Sequence, residues 1–445
     1  VFSQSCDLCD SSPCTTGFPQ YDSPMSYISL SSITRLLQRF APSRRTCITF
    51  LCLAGLLAAG TAAANPWMLG PLTTNQSELA ASSGAAAIAE PADVLDKLRA
   101  GFALSYEDNP RTAAELKWFV KHPDYLNRVF TRAQRYMPYI TAELERRGMP
   151  LELALLPIVE SAYDPFAYSH GRAAGLWQMI PGTAKRFGIK QNWWYDGRRD
   201  VVDSTRAALD YLEYLEGLND GNWLNAIASY NSGEGNVLRA ARKNRKANKP
   251  IDFWYLKLPK ETSMYVPKLL ALVEIVADPE QFGLTLPVVA DEQQFMVTDI
   301  GSQLDLALAA ELAGVDVDTV YQFNPGYNRW STDPSGPHKL VMPVAVADQF
   351  TAALGEVPAA DRVRWKRHKV KSGEAISQIA EKYNTTVSAL RAANNLRGNT
   401  IRAGHHLMIP VATKPLSAYS KSADARLAKT QNRQRAGNRV EHTVR

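Results

Sequence analysis

Glu160 is the residue whose setting most suggests chemistry. It ends a mostly apolar run, Leu-Glu-Leu-Ala-Leu-Leu-Pro-Ile-Val-Glu from Leu151, and Ser161 follows it. A carboxyl in apolar surroundings loses solvation of its ionised form, so its pKa rises. A general acid for glycosidic-bond cleavage needs that property. Taken alone, a capped or salt-bridged Glu explains the residue as well. Hydrolases of this kind usually pair two carboxylates. Asp164 is close in sequence, but Asp164-Pro165 reads as a turn signal. Further on, Ala174-Gly175-Leu-Trp-Gln178 places an aromatic ring and an amide just after a loop. Tyr230-Asn231 ends a helical pattern before Ser232-Gly-Glu-Gly235, and Glu261-Thr-Ser-Met-Tyr265 opens another. Aromatic faces and amide donors suit sugar rings. Each pair also has a plain reading, with Trp177 and Tyr230 as core aromatics and Asn231 as a cap.

The elements that must position these residues are helical. Apolar periodicity begins near Val94, and 109–148 carries Trp118, Phe119, Tyr125, Leu126, Val129 and Phe130 at helical spacing. Residues 151–161 read as one buried helix bent at Pro157. Pro181 opens a short helix that Gly188 ends. Asp203 or Ser204 caps a longer one, whose Ala208, Tyr211, Leu212, Leu215 and Leu218 share a face. Trp223, Ala226, Ile227 and Tyr230 define another helix, 232–235 a turn, and 264–277 a strongly apolar helix. No strand is expected between 94 and 277. After 287–290 the pattern changes. Residues 368–410 alternate, turn, show two short helical faces and close on Leu407-Met-Ile409, a β-α-α-β order. Residues 295–343 repeat that order loosely, with an insertion at 330–338.

In this order the four site motifs resemble the lytic transglycosylase (soluble-lytic-type) catalytic domain of family 23 glycoside hydrolases. Glu160-Ser161 is similar to its Glu-Ser motif, and Gly175-Leu-Trp-Gln178 to its Gly-Leu-x-Gln motif. Ala228-Ser-Tyr230-Asn231 is similar to its Ala-x-Tyr-Asn motif, and Glu261 to Tyr265 to its fourth. Gln191-Asn-Trp-Trp194 and Arg198-Arg-Asp-Val-Val202 are typical of one subgroup. The unit 368–410 resembles a LysM module, and 295–343 a divergent one. The resemblance implies an all-α, lysozyme-like catalytic domain followed by small β-α-α-β LysM modules. It implies cleavage of the β-1,4 bond between N-acetylmuramic acid and N-acetylglucosamine in peptidoglycan, leaving 1,6-anhydromuramyl ends. Glu160 is then acid and base in turn. Ser161, Gln178, Tyr230 and Asn231 position the glycan or the carboxyl, and Tyr265 lines the site. No metal or organic cofactor is needed. The LysM unit is expected to bind N-acetylglucosamine-containing glycan, while the insertion at 330–338 tells against glycan binding by the divergent unit. Two other readings stay open: a goose-type lysozyme that uses water, and a non-catalytic peptidoglycan-binding scaffold.

Composition sets the outer limits. Hydrophobic residues are 45% and charged residues 21% of 445, which excludes a wholly disordered chain and a polytopic membrane protein. The net charge of +6 is matched by residues 414–445 alone, with eight Lys/Arg against two Asp/Glu. With the rest of the chain near neutral, no nucleic-acid partner is expected. The five cysteines, Cys6, Cys9, Cys14, Cys47 and Cys52, all precede Asn65. Cys6, Cys9 and Cys14 have no second ligand pair, so no zinc site is expected. Arg44-Arg45, the apolar run 48–59 and Ala62-Ala63-Ala64 have the layout of a secretory signal, with Met25 the better start. A retained membrane anchor is the other reading. The expected organisation is an over-extended start with a signal or anchor (1–64), a linker (65–92), the catalytic domain (93–290), the divergent LysM-like segment (291–350), the LysM module (366–411) and a disordered basic tail (412–445). An exported, periplasmic monomer, in one reading attached to the membrane, is expected.

Overall fold

A computed structural model describes residues 93–435. The signal or anchor segment, the cysteines, the linker and the tail beyond 435 lie outside them.

Prolines set the helix boundaries of the first domain. α1 (Val94–Ala100) is capped by Asp93, whose side chain accepts from the Leu95 amide at 3.0 Å. The run 109–148 is three helices rather than one: α2 (Pro110–Val120), α3 (Pro123–Ala133) and α4 (Met137–Arg147). Pro110, Pro123 and Pro138 each sit in a first turn, where the missing N–H costs nothing. Gly148, left-handed at φ 65°, ends α4. The expected bent helix over 151–161 is also two pieces. A 3-10 turn, Leu151–Leu155, leads into α5 (Leu156–Ser161), and Pro157 begins that helix instead of bending one.

α6 (Pro181–Arg186) matches its sequence signals, and the left-handed Gly188 follows it. α7 (Val201–Leu218) starts earlier than expected because Asp200, not Asp203 or Ser204, is its cap. α8 (Trp223–Ser232) runs into α9 (Glu234–Lys246), broken only by Gly233 at φ 82°. α10 (Lys260–Ala277) is the central helix: Leu269 to Val273, Ile275 and Val276 are all buried, so apolar residues surround its axis. Pro267 lies inside it and cannot bond the Ser263 carbonyl one turn back. Arg111 of α2 donates to that carbonyl at 3.3 Å. No β-ladder forms between 94 and 277.

The second unit is β1 (Phe295–Asp299), α11 (Leu306–Ala313), α12 (Val317–Phe323) and β2 (Lys339–Pro343), with Phe295 opposite Pro343 in an antiparallel pair. α13 (Val344–Gly355), absent from the sequence reading, follows. The third unit is β3 (Arg364–Lys369), α14 (Ile376–Lys382), α15 (Val387–Ala393) and β4 (His406–Val411), also antiparallel. Thr386 caps α15, accepting from the Ala389 amide at 3.1 Å. β3 begins four residues before its expected start, because His368 is its only buried residue and no alternation marks it.

The tail differs from expectation. Residues 413–432 are seated, and α16 (Ala423–Arg435) is helical. Asp305, fully buried, accepts from the Thr413 amide and hydroxyl at 2.7 Å each and from the Tyr419 hydroxyl at 2.9 Å. The Ala423 amide also donates to the Asn328 carbonyl at 2.8 Å, and Asp424 pairs with Arg329, so several distant groups fix a segment that composition marks as solvated.

Candidate active site

Glu160 sits on the last turn of α5. Two consecutive left-handed residues, Ala162 (φ 51°) and Tyr163 (φ 57°), stop the helix just after it. Such conformations are costly without glycine and need outside support. Here the Tyr163 amide donates to the Pro157 carbonyl at 3.1 Å. Its buried hydroxyl donates to the Ala154 carbonyl at 2.7 Å. Glu160 is half-buried and accepts a short hydrogen bond from the Tyr265 hydroxyl of α10. Loss of solvation dominates its titration and pushes its pKa up to about 7. The Tyr265 bond and Lys268 pull down, and the Glu261 charge pushes up. Burial, with the Glu160 charge, also holds the Tyr265 and Tyr230 phenols well above their ordinary range, so both stay protonated.

The other expected site residues surround the loop 174–179 and the start of α10. Ser161 donates to the Leu176 carbonyl at 2.9 Å, or to Pro157 at 3.1 Å. Tyr230 donates to the next carbonyl, Trp177, at 2.8 Å. α5 and α8 therefore grip successive peptides of one loop. Gln178, left-handed at φ 44°, donates back to the Gly175 carbonyl at 2.8 Å and closes that loop. Asn231 accepts from Thr262 at 2.9 Å and reaches Glu261 at 3.4 Å, tying the end of α8 to the start of α10. Of the expected site residues, Tyr265 bonds the Glu160 carboxyl, while Ser161, Gln178 and Tyr230 build the loop beside it.

Two candidates have the plainer role. Trp177 is fully buried, with its indole N–H on the Thr205 hydroxyl at 3.0 Å, so it is a core aromatic. Asp164 accepts from the Phe166 amide at 2.9 Å, the turn its Asp-Pro pair signals. Sequence reasoning gave no role to Thr262, which holds Asn231, or to Arg198, quoted there only within the motif 198–202. The signal for Arg198 was the charged triplet Arg198-Arg-Asp200, all three buried. Among the described residues no cluster of His, Cys, Asp or Glu is arranged to hold a metal ion.

The transglycosylase SLT domain model matches residues 137–253 and stops short of Glu261 and Tyr265. A model for the LysM-like domain of lytic transglycosylase MltD matches 294–359, and the LysM domain model matches 368–410. A putative tributyltin chloride resistance protein of Alteromonas sp. (strain M-1) is 51% identical over 122 residues, 27% of this chain and 59% of that protein. The solved soluble lytic transglycosylase SLT70 from Escherichia coli covers 38% of this chain and 30% of its own, at 20% identity and a TM-score of 0.26. The membrane-bound lytic murein transglycosylase D of Escherichia coli (strain K12) is 38% identical over 324 residues, which span 71% of each chain. With identity of that extent over that share of both chains, the chain belongs to the membrane-bound lytic murein transglycosylase D family.

Proposed function

We propose that this chain is a peptidoglycan lytic transglycosylase, on the observation that a desolvated Glu160, with its pKa near neutrality, lies under a tyrosine hydroxyl beside a braced loop. In its neutral form Glu160 donates its proton to the glycosidic oxygen between N-acetylmuramic acid and N-acetylglucosamine. The resulting carboxylate takes the proton of the muramyl C6 hydroxyl, which closes on C1 and gives a 1,6-anhydro end. The substrate supplies the nucleophile, so one carboxylate serves as acid and then base. Tyr265 orients that carboxyl. Ser161 and Tyr230 hold the loop, and Gln178 and Asn231 supply amides to the glycan. The LysM unit holds glycan and raises the local concentration of substrate.

We propose that the chain acts as a monomer. No helix among the described residues is long and apolar enough to cross a membrane. The location we propose, periplasmic and membrane-associated, rests on the names of the relatives and on the apolar run 48–59. The test is mass spectrometry of soluble products from purified murein. Anhydromuramyl ends that vanish with Glu160→Gln are expected. Hydrated reducing ends would select a lysozyme-type hydrolase, and binding without products a scaffold.

A further inference from the structure

The loop 172–179 has no regular structure, yet it carries the groups that Ser161 and Tyr230 grip. Its outer side is held by Arg198. That guanidinium donates to the Arg172 carbonyl at 2.5 Å and to the Met179 carbonyl at 3.3 Å, at the two ends of the loop. Its other two nitrogens fork onto both oxygens of Asp196, each at 2.8 Å. The Arg198 carbonyl lies so close to Gly175 that an added Cβ would stand 1.9 Å from it. Arg198, Asp196 and Arg199 are nearly fully buried, so this is a fixed brace.

The brace is locked from the second unit. The Asp196 amide donates to the Gly326 carbonyl at 2.8 Å. Arg199 joins Asp196 at 3.1 Å and Asn328 at 3.4 Å. The Asn328 backbone N–H donates to the Trp194 carbonyl at 2.8 Å, and Lys190 pairs with Asp333 at 2.9 Å. The connection from α12 to β2 that makes these bonds is almost wholly buried from 324 to 333. The corresponding connection of the LysM module, from α15 to β4, is mostly exposed from 395 to 405.

We propose that Arg198 is a positioning residue for the Gly175–Gln178 loop, set by Asp196 and locked by Gly326 and Asn328, so that the LysM-like unit is a working part of the catalytic body and not a second glycan-binding module. The proposal rests on the transglycosylase reading for its effect on rate, but not for its effect on the loop.

Two variants of the full chain test it. Arg198→Lys keeps the charge but lacks the fork and cannot reach both carbonyls. Asn328→Ala removes the side-chain contact to Arg199 from the LysM-like side and leaves the backbone bond to Trp194 in place. With soluble glycan strands, Arg198→Lys is expected to lower kcat at least tenfold with KM within about threefold. Asn328→Ala is expected to lower kcat a few fold in the same pattern. Amide hydrogen exchange over 172–179 should speed up in both, while α10 stays protected. Unchanged exchange in that loop in Asn328→Ala, or in a folded Arg198→Lys, overturns the proposal whatever the activity. So does a loss confined to KM. If the unmodified chain yields no anhydro product, the transglycosylase reading falls, and the exchange result still decides the positioning role.

Discussion

A carboxyl that must give up a proton near neutral pH needs walls that exclude water and a neighbour that does not overfavour the anion. Glu160 has the walls, and Tyr265 partly opposes them. In the proposed mechanism the neutral form starts the reaction, so kcat/KM should fall as pH rises through about 7. Tyr265 favours the ionised form, so Tyr265→Phe should move this limb to higher pH while lowering kcat. A limb that stays put or moves to lower pH would show that Tyr265 does not act on this titration. Stability follows the same sign. The folded pKa lies above its ordinary 4.5, so the contribution is full below 4.5 and is lost as pH rises through about 7. Glu160→Gln should therefore match the parent near pH 4 and exceed it near pH 8 by on the order of 2 kcal/mol, measured by urea denaturation. Glu160 was legible because a charge ends an apolar run. The duty of Asn231 was not, because Thr262 meets it only once α8 and α10 are packed together.

At the scale of elements, the loop 174–179 depends on one glycine. Gly175 combines φ 82° with the backbone of Arg198 in its Cβ position. Gly175→Ala should cost more than about 3 kcal/mol, whereas Gly182→Ala, in α6 with open space around it, should be neutral or slightly stabilising. Thermal melts of the pair separate a special backbone from a general dislike of change; equal shifts would refute the close approach. Helix existence was readable from periodicity, but helix starts were not. Asp200, Asp203 and Ser204 all suit a cap. The structure gives that duty to Asp200, which accepts from the Asp203 amide at 2.8 Å, while Lys339 draws both carboxylates, Asp203 at 2.8 Å and Asp200 at 3.6 Å. Lys339 lies far along the chain, so no local pattern could announce the choice. α9 went unread because two glycines suggested a long turn, yet Gly233 alone makes it and Gly235 lies inside the helix.

For the whole molecule, the informative failure of the sequence reading is the tail. Buried Asp305 takes amide donors from Ala307 and Thr413 and hydroxyls from Thr413 and Tyr419. Tyr419→Phe should cost about 1–2 kcal/mol, since the lost bond is to a charged acceptor, and should expose the 413–432 segment to limited proteolysis. Unchanged stability and cleavage would mean the tail is held elsewhere. Module order, by contrast, was legible, because each unit carries its own strand and helix pattern. The way the modules join was not, since Trp194 and Tyr195 of the first domain belong to the core of the second. Val363 and Ala389, from the start and the second helix of the LysM region, enter that same core, and the Trp194 indole reaches Thr386 at 3.4 Å. A module on a loose tether only keeps polymer nearby. If the LysM unit captures glycan as proposed, its seat in a shared core would hold the strand at a fixed bearing to Glu160, and so act as a gauge. Soluble fragments cut from long strands should then cluster around a preferred length, and Ala389→Asp, which wedges a charge into the joint, should broaden that distribution more than it slows the cutting.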